Sequence, residues 1–495
     1  MNLSNLDSLA YFWPETILVA AIIAIFLADL FVRDKEVLGG IALLGAALSA
    51  AAAARAFSWD QGWLFNQMMV LDPFAVFFKL LFSLTAFLVV WMSMDSREVT
   101  TSQSQGEYYA ILLSAVLGMY FMASAANLLM AYLALEMVSI MSYVLTGYLR
   151  HDRRSGEAAL KYLIYGGVAS GTMIYGMSWI FGLAGSMDFT AINAALHQDG
   201  QNSLAIFVAL TLILVGFGYK IAAVPFHMRA PDVYQGAPIP VTAFLSVASK
   251  AAGFALAIRF FYPGLSRLTA GGVWTLIPGV EWPQLVVVLS MVTMTLGNLA
   301  ALSQQNLKRL LAYSSIAHAG YTLMGFAVLS DDGLRAMLFY LVVYYLMNLG
   351  AFMVVMAVAN STGREDVDGL RGLAWRGGAA PAAAMTVFLF SLTGLPPFAG
   401  FIGKYYLFSA AIEQKLYLLA LVGAVNSVIA LYYYARIVKA MYLDIPEEEV
   451  SEQQIALTWR SAAPLGVLSA LTLVLGLYWT PVWAVVDSSV NFFVG

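Results

Sequence analysis

The sequence predicts an all-α integral membrane protein of about fourteen transmembrane helices. Three observations predict it. First, the 495 residues are 61% hydrophobic and only 11% charged, with mean hydropathy +0.79, whereas a soluble protein carries about 25% charged residues. Second, the apolar runs are continuous and about 20 residues long, which suits helices crossing a ~30 Å hydrocarbon layer rather than alternating barrel strands. Third, lysine and arginine fall unevenly between alternate loops, as they do when one side of the membrane is cytoplasmic.

The spans are expected at 11–32, 37–57, 73–94, 107–124, 127–148, 157–182, 203–224, 238–262, 284–303, 307–329, 333–360, 379–411, 416–443 and 461–485. The basic residues between them justify each in turn. With the N-terminus outside (periplasmic), the first, third and fifth helices lead inward to Arg33 and Lys35, to Arg97, and to Arg150, Arg153 and Arg154. The seventh leads to Arg229, the ninth to Lys308 and Arg309, and the eleventh to Arg364, Arg371 and Arg376. Arg436, Lys439 and Arg460 flank the last inner loop. The outer side receives Arg55, Arg259, Arg267, Arg335 and Lys415. Fifteen inner charges against five outer ones fix the orientation, and one missed span would scramble the asymmetry.

The chain also repeats itself. Ala158–Leu163 resembles Ala336–Leu341, and Tyr143–Tyr148 resembles Tyr321–Phe326, both 178 residues apart. Copies separated by five helices have opposite orientations in the membrane, the pattern of transporters with a site at the repeat interface. The expected organisation is three helices in 1–106, a first inverted repeat in 107–262, a second in 284–443, and an acidic loop with the last helix in 444–495. Each repeat carries a proline at a helix break, Pro225 in the first and Pro396 with Pro397 in the second. Proline removes a backbone donor and interrupts the helix, and matched broken helices point to an ion site. A plain kink is the alternative reading.

Several chemistries are excluded. The chain has no cysteine, so it supplies no thiolate ligand to an iron–sulfur cluster and forms no disulfide. His151, His197, His227 and His318 are scattered without metal-ligand spacing. No nucleotide-binding glycine motif is present. The N-terminus lacks a basic stretch and a cleavage site, so the first helix is expected to remain.

Five lysines lie within apolar runs: Lys79, Lys161, Lys220, Lys250 and Lys404, with Glu136 as the one glutamate judged equally deep. A charge at the bilayer centre costs roughly 3 kcal/mol or more, so such residues usually line an ion or proton path. Each also has a plainer reading. Glu136 and Lys220 suit a static ion pair. Lys250 could be purely structural, but it has no obvious acidic partner in its own repeat, which argues against that. Lys404 follows a break and could bond freed carbonyls. His318 suits a satisfied core histidine. Lys79, near a span end, is expected to snorkel to the outer surface. Asp29 reads as structural, Tyr432–Tyr434 as packing or an interfacial belt, and Pro446–Glu452 as a solvated acidic loop.

The segment from Lys220 to Lys250, KIAAVPFHMRAPDVYQGAPIPVTAFLSVASK, with NLKRLLAYSSIAHAGY at 306–321 and GLPPFAGFIGKYYLF at 394–408, resembles the subunit N family of bacterial NADH–quinone oxidoreductase (respiratory complex I). This antiporter-like family includes mitochondrial NADH dehydrogenase subunit 2. The resemblance covers nearly the whole chain, and PDVYQGAP is its most specific part. It implies fourteen helices in the bacterial inner membrane and a proton-translocating role. It implies that FMN and iron–sulfur clusters sit on partner subunits, with no cofactor on this chain. NADH and quinone would then be used by the complex, whose other membrane and peripheral subunits, with lipid, are the expected partners. Residue by residue, it implies that Glu136 and Lys220 form a charge pair with Lys161 close by. It likewise implies that Lys250, His318 and Lys404 continue a midplane relay. The other reading is a subunit of a multisubunit cation/proton antiporter without redox activity.

Overall fold

The structure, a computed structural model, describes residues 3–198, 200–269, 273–446, 455 and 457–492. Residues 447–452 of the expected acidic loop lie outside the described residues. The described chain is mostly helical. Eleven of its helices are long and apolar enough to cross a membrane, or twelve if one bent pair counts as a span.

In order, the main helices are α1 (Trp13–Phe31), α2 (Glu36–Ala56), α3 (Pro73–Ser93), α4 (Gln105–Ser124) and α5 (Leu128–Thr146). Then come α6 (Arg153–Ala184), α7 (Ser203–Ile221), α8 (Ala230–Gly236) and α9 (Ile239–Phe261). They are followed by α10 (Trp282–Ala301), α11 (Leu307–Ala327) and α12 (Asp331–Thr362). The chain closes with α13 (Ala379–Thr393), α14 (Ala399–Glu413), α15 (Tyr417–Tyr442), α16 (Trp459–Leu477) and α17 (Thr480–Ser489). Two antiparallel hairpins, β1 (Gly62–Leu64) with β2 (Met69–Leu71) and β3 (Ser266–Leu268) with β4 (Trp274–Leu276), join α2 to α3 and α9 to α10.

The broken elements follow from local chemistry. α7 stops at Ile221, and Ala222 is left-handed (φ 60°). α13 stops at Thr393, and Gly394 is left-handed (φ 89°). Each stop precedes the prolines that cannot continue a helix. The expected last span is two helices, α16 and α17, because Tyr478–Trp479 interrupts it before Thr480-Pro481.

Helix lengths recur along the chain. α6 and α12 each have 32 residues, start at 153 and 331, and end on left-handed Gly185 and Gly363, all 178 apart. α9 and α15 begin at 239 and 417, again 178 apart. Asn127 caps α5 and bridges to Asp188, while Asn306 caps α11 and bridges to Asp366.

The outer α-helices correct two sequence expectations. Lys79 does not snorkel. It is buried in α3 and paired at 2.6 Å with Glu15 in the first turn of α1, which is also fully buried. A carboxylate at the same depth holds the amine in the core, so Glu136 is not the one deep glutamate. Beside this pair, the Ser49 and Ser83 hydroxyls both hydrogen-bond the Tyr120 hydroxyl. Arg259, expected at the outer end of its span, is buried and holds the Asp72 carboxylate with both terminal nitrogens. Asp29 pairs with Lys35 at 2.6 Å, both partly exposed.

Candidate functional site

α11 organises the site. Ser314, Ser315, His318, Tyr321 and Thr322 recur at helical spacing, so they form a polar stripe on an otherwise apolar helix. All are buried. From Ser315 to Tyr321 the rise is about 9 Å at 1.5 Å per residue.

Lys250 meets one end of the stripe. Its side chain is 5% exposed, and Nζ donates to the Ser315 carbonyl at 2.8 Å and to Ser315 Oγ at 2.5 Å. It directly follows a π-helical turn, Leu245–Ser249, within α9, a local widening frequent at functional sites.

Lys404 meets the other end. It is 3% exposed and donates to the Thr393 carbonyl at 2.9 Å and to Ser427 Oγ at 3.1 Å. Its Nζ lies 4.3 Å from the centre of the Tyr321 ring, and Ser427 Oγ donates to Tyr321 Oη at 3.2 Å. Thr393 ends α13, so its carbonyl is one that a broken helix leaves unpaired. A Cβ at Gly394 would lie 2.8 Å from Lys404 Cδ on a left-handed backbone, so glycine is required there.

His318 sits midway. Its Nδ1 hydrogen-bonds Tyr340 Oη at 2.5 Å and its Nε2 lies 3.3 Å from Tyr434 Oη. Tyr434 also bonds the Ser314 hydroxyl, and Tyr433 Oη donates to Asn298 at 2.9 Å. Thus Tyr433 and Tyr434 belong to the polar interior. Only Tyr432, 66% exposed, fits the expected belt.

Lys220, 1% exposed, ends α7 next to α9. A Cβ at Gly253 would lie 3.0 Å from Lys220 Cγ. Gly253 is therefore the gap through which the lysine stem passes, one turn from Lys250. Lys220 Nζ donates to Ser139 Oγ at 3.3 Å. Among the described residues it forms no ion pair with Glu136, which lies one turn from Ser139 on α5. Glu136 is half-buried, and its Oε1 is buried with no hydrogen-bond partner. The expected contact pair is thus open in this structure.

Two further placements bear on the site. Lys161 is 39% exposed and held by Glu157 at 2.6 Å and Asp232 at 2.8 Å. Asp232 belongs to the PDVYQGAP segment, in α8, and also takes Arg309 at 2.6 Å. These two acids, Glu157 and Asp232, hold Lys161. Arg229, expected at the inner surface, is buried between the Tyr162 and Tyr219 rings, 4.1 and 4.2 Å from their centres, and donates to the Tyr219 carbonyl at 2.9 Å.

The three axis lysines share one feature. Each bonds a serine hydroxyl (Ser139, Ser315 or Ser427), and none forms an ion pair among the described residues. Lys79, Lys161 and Lys308 are each held by a carboxylate, Lys308 by Glu365 at 2.7 Å. A hydroxyl both donates and accepts, so it can serve an ammonium or a neutral amine. The serines were missed in the sequence, although Ser314-Ser315 one turn from His318 was a signal. Glu15 was missed because the first turn of α1 reads as a span end.

Residues 125–430 match the family described as NADH:quinone oxidoreductase/Mrp antiporter, transmembrane. NADH-quinone oxidoreductase subunit N of Anaeromyxobacter sp. (strain Fw109-5) is 47% identical over 99% of this chain and 98% of its own length. Subunit N 2 of Sorangium cellulosum (strain So ce56) is also 47% identical, over 99% of both. The chain belongs to the subunit N family of NADH-quinone oxidoreductase. A chain of respiratory complex I from Thermus thermophilus with bound aureothin superposes with TM-score 0.80, at 31% identity, over 96% of this chain and 99% of that one. A chain of the Mrp complex from Dietzia sp. DQ12-45-1b, 21% identical, shares the fold with TM-score 0.83 over 97% of each. Family membership makes this an antiporter-like, multi-pass membrane subunit of a respiratory enzyme complex.

Proposed function

We propose that this chain translocates protons as a subunit of NADH–quinone oxidoreductase, through an axis running Lys220, Lys250, His318, Lys404. The observation that carries this is that all three lysines bond a serine hydroxyl, joined by a backbone carbonyl at Lys250 and Lys404. A buried amine held by a carboxylate is locked in its charged form. One held by a neutral hydroxyl and a carbonyl can lose and regain its proton without stranding an ion. The α11 stripe supplies hydroxyls and one imidazole between Lys250 and Lys404. Histidine suits the linking place because its ordinary pKa lies near neutrality.

Lys220 and Glu136 act as the switch. In the open arrangement Lys220 rests on Ser139. Rotation towards Glu136, one helical turn away, draws the proton onto the amine, and separation releases it towards Lys250. Lys161 with Asp232 and Arg309 ties α6, α8 and α11 together behind this switch. The recurring 178-residue offset supports two inverted five-helix repeats within fourteen spans, with the N-terminus periplasmic in a bacterial inner membrane. Electron transfer from NADH to quinone, with FMN and iron–sulfur clusters, takes place on partner subunits of the complex. The subunit N relatives favour this reading over a redox-free cation/proton antiporter.

Lys250→Met in the assembled complex tests it. NADH-driven acidification of inverted membrane vesicles is expected to fall relative to NADH oxidation, with the redox centres retained. A wild-type ratio of protons to NADH in a fully assembled variant would overturn it.

A further inference from the structure

Glu98 lies in a short helix between α3 and α4, outside the spans. Its Oε2 accepts the Ile239 backbone N–H at 2.8 Å, capping the first turn of α9. Two cavities, of about 740 and 340 Å³, both have Glu98, Leu149 and Asp152 in their walls. The larger opens beside Arg150 and the smaller beside Arg154 and Arg364, on the side with the excess of basic residues. Glu98 therefore stands where two water-accessible spaces meet the start of the helix that carries Lys250.

The route onward is polar. Thr242 and Ser246 are eight and four residues before Lys250, along one side of α9. Ser246 Oγ accepts from Asn348 Nδ2 at 2.6 Å. Around this stretch, Asn348 Oδ1 and the Ser249 hydroxyl are buried without a hydrogen-bond partner among the described residues. Buried polar atoms in native proteins are satisfied by protein or by ordered water, so this stretch is suited to a water-filled chain. From Ile239 to Lys250 the helix rises about 16 Å, roughly six hydrogen-bond lengths of ~2.8 Å.

Resting on the proton-translocating reading above, we propose that Glu98 is the residue that loads protons from the cytoplasmic side into the chain leading to Lys250. The Glu98 carboxylate takes a proton from hydronium in the cavities and leaves water behind. The resulting acid gives that proton up along Thr242, Ser246 and the intervening waters. The Lys250 amine becomes an ammonium, and the carboxylate is regenerated. Burial pushes the Glu98 carboxyl above the usual carboxylate range. Lys308 and the Ile239 amide oppose that rise, while Glu365 and Asp152 add to it. An acid so placed holds a proton at higher pH than an exposed glutamate does.

The test separates loading from capping. In Glu98→Gln the amide oxygen still accepts from Ile239 but cannot exchange a proton. Measured in inverted vesicles of the assembled complex, E98Q is expected to lose as much proton transport per NADH as Lys250→Met does. Glu98→Asp should recover part of it, with its transport-versus-pH profile shifted from wild type. If E98Q transports like wild type while Lys250→Met fails, the loading assignment falls and the relay reading stands. If both transport normally, the relay reading itself falls. If E98Q does not assemble, E98D decides: a pH profile coincident with wild type leaves Glu98 only a cap and overturns the proposal.

Discussion

Removing either member of the Glu15–Lys79 pair should damage the protein far more than removing both. The two groups are 2.6 Å apart and 0–1% exposed. At an effective dielectric of ~20 their attraction is about 6 kcal/mol. Desolvating each ion costs several kcal/mol, so the pair nets close to zero. Lys79→Met removes the attraction and leaves Glu15 charged and buried, at a cost of about 3–5 kcal/mol. Glu15→Gln with Lys79→Met removes both charges together, and similar apolar-for-ionic replacements are neutral or stabilising by about 1–4 kcal/mol. The assay is a double-mutant cycle on the thermal inactivation of the purified complex, with subunit content checked by gel. The single variants should inactivate at lower temperature, and the double variant should return to wild type. NADH-driven proton transport should survive in the double variant, because no residue of the α11 stripe touches this pair. Equal stability of single and double variants would refute the reasoning, since it would mean that water or another group already compensates each charge.

Two further outcomes follow from the axis. Gly253→Ala puts a methyl 2.9 Å from Ile221 Cγ2 and 3.0 Å from Lys220 Cγ. Overpacking of this kind costs about 1–3 kcal/mol, and the displaced lysine should lower proton transport while NADH oxidation by artificial acceptors is unchanged; unchanged transport in vesicles would show that the stem has room to spare. Tyr434→Phe deletes the hydroxyl that bonds Ser314 and faces His318 while keeping the ring in place. Transport per NADH should drop towards the Lys250→Met level with normal assembly, and a loss of stability without a loss of transport would mark the tyrosine as packing alone.

Much of this was legible in the sequence because bilayer physics leaves few choices. A lysine inside a 20-residue apolar run has to be buried, and Lys220, Lys250 and Lys404 are. Prolines 225, 396 and 397 mark the breaks, since a ring without an N–H cannot continue a helix. The 178-residue offset, read from two short resemblances, is the offset between the starts of α6 and α12. What failed was partnership across helices. Nothing along α3 says that Glu15 faces Lys79, so a lysine six residues past Pro73 reads as a surface snorkel. Nothing along α8 says that Asp232 will take Lys161. Arg229 looked like a loop charge because the pairing that hides it, two tyrosine rings from α6 and α7, is 10 to 67 residues away in sequence. Nothing along the loop before α4 says that Glu98 meets the first backbone amide of α9.

The partner of each buried amine therefore carries more information than its burial does. Six lysines are drawn into this account, and burial alone does not sort them: Lys79 and Lys308 are as enclosed as Lys220 and Lys404. Carboxylate against hydroxyl does sort them. Lys79, Lys161 and Lys308 each meet an acid within 2.8 Å and so act as ion-paired struts. Lys220, Lys250 and Lys404 meet serines and, in the last two, backbone carbonyls, which impose geometry without fixing charge. Moving a proton through a bilayer requires sites whose charge can change at little cost, and fixed struts that keep those sites in line. Placing an acid beside one axis lysine, as in Ser315→Asp against Lys250, should convert it from the first kind to the second. The variant should assemble at least as well as wild type and transport fewer protons. Retained transport in S315D would show that a carboxylate contact does not lock the amine, and the distinction drawn here between the two sets of lysines would fail with it.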